Sequence, residues 1–151
     1  MKTLLKLTVL AAFLTVIFQS CQKENIYEGI IVSEFDFGRC FPPFGEAGDE
    51  YVITNDSLYR NLLKFGVTVC KNYTLPDIDF STYTLLGKYT VSDGEPKYYK
   101  REIIKDENRK KYIYSIFIKC KNNYKAALSM NWVLVPKLPE GYSVEFSVEV
   151  D

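Results

Sequence analysis

Residues 97–121, "KYYKREIIKDENRKKYIYSIFIKCK", decide the fold class. β-Branched and aromatic residues stand on both sides of a polar centre at Asp106–Asn108. The stretch reads as a β-hairpin bent there. Tyr and Lys suit a strand with one face in water, and lysines guard an exposed edge. The same stretch interleaves cations with rings. Tyr98, Tyr99, Tyr112 and Tyr114 with Lys100 and Arg101 form a candidate ligand-binding set, since aromatic faces beside cations stack sugars or bases. Glu102, Asp106 and Glu107 interrupt the positive field, and a solvated hairpin is the simpler reading.

Outward from the hairpin, strands dominate. "GIIVSEFDFG" (29–38) reads as a first strand, with Ile31, Ser33, Phe35 and Phe37 on one side and Ile30, Val32, Glu34 and Asp36 on the other. "CFPPFGEAGDE" (40–50) is a loop by its prolines and glycines. "YVIT" (51–54) is a short strand. "NDSLYRNLLKFG" (55–66) is a helix capped by Asn55 or Asp56, lined by Leu58, Leu62 and Phe65, and ended by Gly66. "VTVC" (67–70) is a brief strand. Residues 76–96 give a turn, a strand and a loop. "NWVLVP" (131–136) and "YSVEFSVEV" (142–150) are the last strands. In the final one Val144, Phe146, Val148 and Val150 point in, and Ser143, Glu145, Ser147 and Glu149 point out. The expected fold class is α+β: a mostly antiparallel sheet, sandwich-like and small, with one short helix.

Composition agrees. The chain has 151 residues, the length of one domain, and its 12 Tyr and 10 Phe favour strands. Removing Lys2 and Lys6 from 19 basic residues leaves 17 against 19 acidic ones. A body near −2 lacks the clustered cations that a nucleic acid requires. Histidine is absent, which removes Ser-His-Asp and Cys-His catalysis and His-ligated zinc.

Other catalytic sets are thin. "DIDFST" (77–82) would place Asp77 and Asp79 on one side of a strand, where paired carboxylates can hold Mg²⁺ or divide nucleophile and acid roles. Its D-x-D-x-[ST] spacing resembles the start of haloacid-dehalogenase-type phosphatases. The alternating βαβ context of that family is missing, and a turn after Pro76 explains the residues more simply. No S-x-x-K and no Gly-rich phosphate loop occurs. Glu145 and Glu149 fit the wet face of the last strand better than a glycosidase pair with Glu140. No enzyme, cofactor or metal is expected.

The N-terminus is an address. Lys2 and Lys6 precede an apolar run from Leu7 to Phe18, too short to span a bilayer, which needs about 20 residues. Gln19 and Ser20 then precede Cys21. This is the layout of a secretory signal. A small residue before a cysteine resembles a bacterial lipoprotein box, in the looser form of Bacteroidetes-type bacteria. In that family the cysteine carries diacylglycerol and its new amine is acylated, often by palmitate. The implied division is a signal peptide at 1–20, a lipidated tether at 21–28 and a β-rich domain at 29–151. Gln22, Lys23 and Glu24 resemble part of a surface-export signal, so the outer membrane is the expected site, facing periplasm or surface. With Cys21 acylated, Cys40, Cys70 and Cys120 remain. An oxidising compartment favours one pair. Three pairings are open; Cys40 and Cys70 flank the expected helix and are preferred.

"YVITNDSLYRNLL" (51–63), "LPDIDFSTYTLLGKY" (75–89), "KKYIYSIFIKCK" (110–121) and "MNWVLVPKLPEGYSVEFSVEV" (130–150) together resemble an uncharacterised group of Bacteroidetes lipoproteins. More distantly they are similar to the C-terminal domain of a spirochaetal lipoprotein that stabilises a secreted protease complex. A Gly-Gly-Tyr turn usual there is replaced by "SDGEPKYY" (92–99). The resemblance implies an anchored accessory domain that binds or stabilises another envelope protein. A surface glycan-binding module is the alternative.

Overall fold

The computed structural model describes residues 25–37, 45–65 and 74–151, with the side chains of 63–65 left out. Cys21, the Cys40–Cys70 pair and the strand expected at 67–70 lie outside the described residues. The elements in order are β1 (Ile26–Gly29), β2 (Ser33–Glu34), β3 (Glu50–Ile53), α1 (Asp56–Phe65), β4 (Tyr83–Ser92), β5 (Pro96–Asp106), β6 (Lys111–Cys120), β7 (Ala127–Pro136) and β8 (Ser143–Val150). They form two packed four-stranded sheets, ordered β1-β5-β6-β8 and β2-β7-β4-β3. The chain is a small, strand-dominated α+β protein, as its composition and periodicity indicate.

The hairpin is the centre of the first sheet. β5 and β6 pair antiparallel from Pro96↔Cys120 to Asp106↔Lys111. The bend falls at 107–110. Asp106 holds it: its carboxylate accepts from the Arg109 backbone N–H at 2.9 Å and from Arg109 Nε at 2.6 Å. Both outer strands of this sheet run parallel to their neighbours, β1 to β5 and β8 to β6. A parallel neighbour needs a crossover. For β8 that crossover is β7, which lies in the other sheet.

Two cores account for the burial. Between the sheets lie Leu86, Val133 and Val135 from the second sheet and Ile103, Tyr114, Ile116 and Ile118 from the first. The opposite face of the second sheet carries Leu85 and Trp132, covered by Phe37, Ile53, Tyr59 and Leu62. β4 is therefore buried on both faces over most of its length, Thr84 and Thr90 included.

The strand expected over 29–38 is instead two strands with a crossing between them. Gly29 has φ +74°, and a β-carbon there would stand 2.0 Å from the Ile103 carbonyl oxygen. Ile30 N–H donates to Ile103 O, Val32 N–H to Leu134 O and Phe35 N–H to Trp132 O. The chain thus steps from the edge of one sheet to the edge of the other. Ile30 and Ile31 both pack on the core between the sheets, so strict alternation fails.

α1 is capped by Asn55, whose Oδ1 accepts from Leu58 N–H at 3.0 Å. Its buried face is Tyr59 with Leu62; Leu58, expected inside, is exposed. Tyr59 decides the helix rotation. Its ring stacks edge-on with Phe35 and Phe80, and its hydroxyl donates to Pro76 O at 2.8 Å.

Candidate binding edge

The six residues of the expected ligand set divide by strand periodicity. Tyr99, Arg101, Tyr112 and Tyr114 face the space between the sheets and are buried. Of the six, a ligand from solvent meets only Tyr98, beside the Phe117 ring at 6.2 Å, and Lys100, ion-paired with Glu28 at 2.9 Å. The inward members serve a polar brace. Arg101 Nε and Nη2 donate to Asn131 Oδ1 at 3.0 and 2.7 Å, and Nη1 donates to the Tyr27 hydroxyl at 3.0 Å. Its guanidinium lies 4.7 Å from the Tyr99 ring centre. Asn131 Nδ2 donates to Thr90 Oγ1 at 2.8 Å, and the Tyr114 hydroxyl donates to the Asn131 carbonyl. A buried charge requires such satisfaction. Burial pushes the Tyr27 and Tyr114 hydroxyls well above the usual phenol range; at Tyr27 a hydrogen bond with Glu34 adds to it.

Asp77 and Asp79 do not share a strand. They lie in the turn that precedes β4. Asp79 Oδ1 accepts from the Ser81 backbone N–H at 2.9 Å and its hydroxyl at 2.5 Å, and Oδ2 accepts from the Thr82 hydroxyl at 2.7 Å. These bonds, from the Ser81 hydroxyl first, hold the Asp79 carboxyl below the usual range. Asp77 and Asp79 both line a depression of about 560 Å³ with Asp56, Tyr59 and Arg60, but both Asp79 oxygens are taken up by its own turn.

Among the described residues β8 is the longest outer strand. Ser143 N–H donates to Lys110 O, Asp151 N–H donates to Ile118 O, and Asp151 O accepts from Cys120 N–H. Residues in this register alternate in a parallel ladder. Odd positions from 143 to 151 therefore bond to β6, and Val144, Phe146, Val148 and Val150 turn their N–H and C=O to the free edge. β8 offers 8 residues there. The other outer strands among the described residues, β1, β2 and β3, have 4, 2 and 4, and β2 pairs with β7 only at Val133 and Leu134, so the first half of β7 is a second open stretch. β8 contains no lysine and no proline, two of the usual guards of an edge; its only charges are Glu145 and Glu149.

Side chains reinforce this opening. The crossing at 30–32 closes one side of the sandwich. On the other side a shallow depression of about 420 Å³ lies between the sheets, lined by Gly48, Lys88, Tyr89, Val91, Phe146 and Val148. Lys88 reaches across it, its Nζ donating to Gly48 O at 2.6 Å and Glu50 Oε1 at 2.8 Å, 6.0 Å from the Phe146 ring centre. Val144 and Phe146 are half-buried, but Val148 and Val150, expected inside, are 39% and 47% exposed. They point inward past the end of the cover. On the outward face Glu145 pairs with Lys111 at 2.8 Å and Asp151 pairs with Lys119. Among the described residues no basic group pairs with Glu149.

The alternation of "SVEFSVEV" was visible in the sequence; the free edge was not, because parallel pairing with β6 carries no local signal. The missing lysine and proline in this strand were the one available sign. Comparisons with protein families, curated proteins and solved structures return no match.

Proposed function

We propose that this chain is a lipid-anchored, non-catalytic binding domain of the bacterial cell envelope, tied to the outer membrane at Cys21, and that it binds or stabilises another envelope protein. The observation that carries the reading is the β8 edge, long and free of lysine and proline beside exposed Val148 and Val150. Its placement supports the same role. β1, which takes up residues 26–28 of the expected tether, is one edge of the first sheet, and β8 is the opposite edge, three strand spacings or about 14 Å away. An anchor on one edge leaves the other facing outward to a partner. The lipoprotein box and the whole-domain resemblance favour the same class.

A photo-crosslinking amino acid placed at position 148 or 150 of the full precursor, expressed in an envelope-bearing host of the matching type, tests this. The expected product is one discrete protein adduct at both positions and none at Glu102, on the far face of β5. Adducts equal at all three positions, or none at any, would remove the reading. Mass spectrometry of the mature N-terminus tests the anchor; a Cys21→Ala chain that stays membrane-bound at the same processed length overturns it.

A glycan-binding module is the second reading, favoured by the outward Tyr98 and Phe117 rings flanked by Lys100 and Lys119. Polysaccharide binding that survives Tyr98→Ala would exclude this site.

A further inference from the structure

Building on the proposed binding role, we infer that the β8 edge takes an extended segment of its partner as a fifth strand of the first sheet, a segment in which apolar residues alternate with lysine or arginine. Backbone geometry sets the mode. Val144, Phe146, Val148 and Val150 each present in one row a donor and an acceptor that no described residue meets, and an added strand satisfies them in register. A helix or a loop laid on this edge would leave them unpaired.

Side chains set the composition. Along an added strand alternate residues face opposite sides. One set lies beside Val148, Val150 and the depression lined by Phe146 and Val91, and is apolar. The other set lies beside Glu145, Glu149 and Asp151. Lys111 and Lys119 already answer two of these acids, which leaves Glu149 as the charge for the partner to meet. Opposite charges across strands stabilise, and like charges directly opposite destabilise. A second copy of this chain would bring another acidic row and leave both Glu149 carboxylates uncompensated. The complement is therefore basic, and supplied by a different protein.

The test uses the full chain in detergent micelles and synthetic octapeptides. One peptide alternates Val and Lys, one alternates Val and Glu, and a third series carries single backbone N-methyl groups on the Val-Lys peptide. The Val-Lys peptide is expected to bind saturably and at least about tenfold tighter than Val-Glu, the factor given by about 1.4 kcal/mol. N-methylation is expected to abolish binding at every second position and to leave it intact at the positions between. Glu149→Lys should reverse the charge preference while the fold, read by circular dichroism, is unchanged. N-methyl effects without a two-residue period overturn strand addition. Equal binding of the Val-Lys and Val-Glu peptides overturns the basic complement. A sedimenting dimer that Val148→Lys dissociates assigns the edge to a second copy. If crosslinking at 148 captures a partner while these peptides fail, the inferred mode falls and the binding role stands. Crosslinking failure removes the binding role itself.

Discussion

Gly87 and Trp132 stand opposite each other in the β4–β7 ladder, and the indole fills the volume that a β-carbon on Gly87 would need. That carbon would lie 2.1 Å from Trp132 Cζ3. The indole is held from other sides by Phe37 and Tyr51, with ring centres at 5.2 and 5.3 Å. Gly87→Ala is therefore expected to destabilise by about 1–3 kcal/mol through overpacking. Urea unfolding followed by the fluorescence of this single tryptophan measures it. Gly87→Ala combined with Trp132→Leu should recover part of the loss, because the clash partner is gone.

Arg101 and Asn131 give the second prediction. Asn131→Leu strips the guanidinium of two of its three hydrogen bonds. Breaking a buried charge's partnership is expected to cost about 3–5 kcal/mol. Removing both partners, Arg101→Met with Asn131→Leu, leaves no buried charge and should cost clearly less than the two single changes added. A double-mutant cycle by chemical denaturation checks this. Strict additivity would show that the brace does not act as a unit.

These two pairs mark where the sequence was legible. The β5–β6 hairpin and the start of α1 depend on neighbours in the chain, so turn residues and the Asn55 cap reveal them. Arg101 was legible as a cation among rings, but not as an inward one. Strand alternation puts Arg101 on the face of Tyr99 and Ile103, but only the second sheet behind that face makes it the buried one. The break in 29–38 was hidden for the same reason: Ile30 bonds to Ile103 and Val32 to Leu134, partners more than 70 residues away. β7 begins at Ala127, before the apolar "NWVLVP", because pairing with β4 extends it through residues of weak strand preference. The binding edge is the extreme case. Its alternation is local, but its being an edge is a property of the whole sheet order.

Acid stability follows from five carboxyls. Asp79, Glu95, Asp106, Glu107 and Glu145 are all held below the usual carboxylate range. A lowered folded pKa contributes stability that is present above the unfolded value, about 4. It is lost as pH falls through the lowered value. The urea midpoint is therefore expected to hold from pH 7 to about 5 and to drop below about 4. Glu95, Glu107 and Glu145 owe their shifts first to Lys121, Lys105 and Lys111. About 1 M salt should weaken those contributions. Asp79 is held by the Ser81 and Thr82 hydroxyls, so the change in the acid limb caused by Asp79→Asn should persist at high salt.

The alkaline limb has the opposite origin. Burial, then the charge of Asp49, pushes the Tyr51 hydroxyl up to about 12. A raised folded value means the native state keeps the proton after the unfolded chain has released it. The stability linked to this proton is complete below about pH 10 and is lost as pH rises toward 12. Tyr27, Tyr112 and Tyr114 are raised as well, by burial first. Tyrosinate absorbance on alkaline titration should show a delayed fraction that appears together with loss of the native circular dichroism spectrum. Its smooth appearance near pH 10 with the fold intact would contradict this.

An edge without lysine or proline also has a cost in isolation. Free donors and acceptors on a flat strand template pairing with other chains, and lysine on such a strand prevents it. Val148 points its side chain into the open mouth and is 39% exposed, so a lysine there reaches water with its stem along Phe146. Val148→Lys is therefore expected to change stability by no more than about 0.5 kcal/mol, the usual range for an exposed site. It should lengthen the half-time of aggregation at elevated temperature several-fold, read by light scattering at equal fractional unfolding. The same substitution at Ile104, exposed on the far face of β5 and remote from β8, serves as the control. Equal protection by both lysines would mean that net charge, and not the β8 edge, governs aggregation.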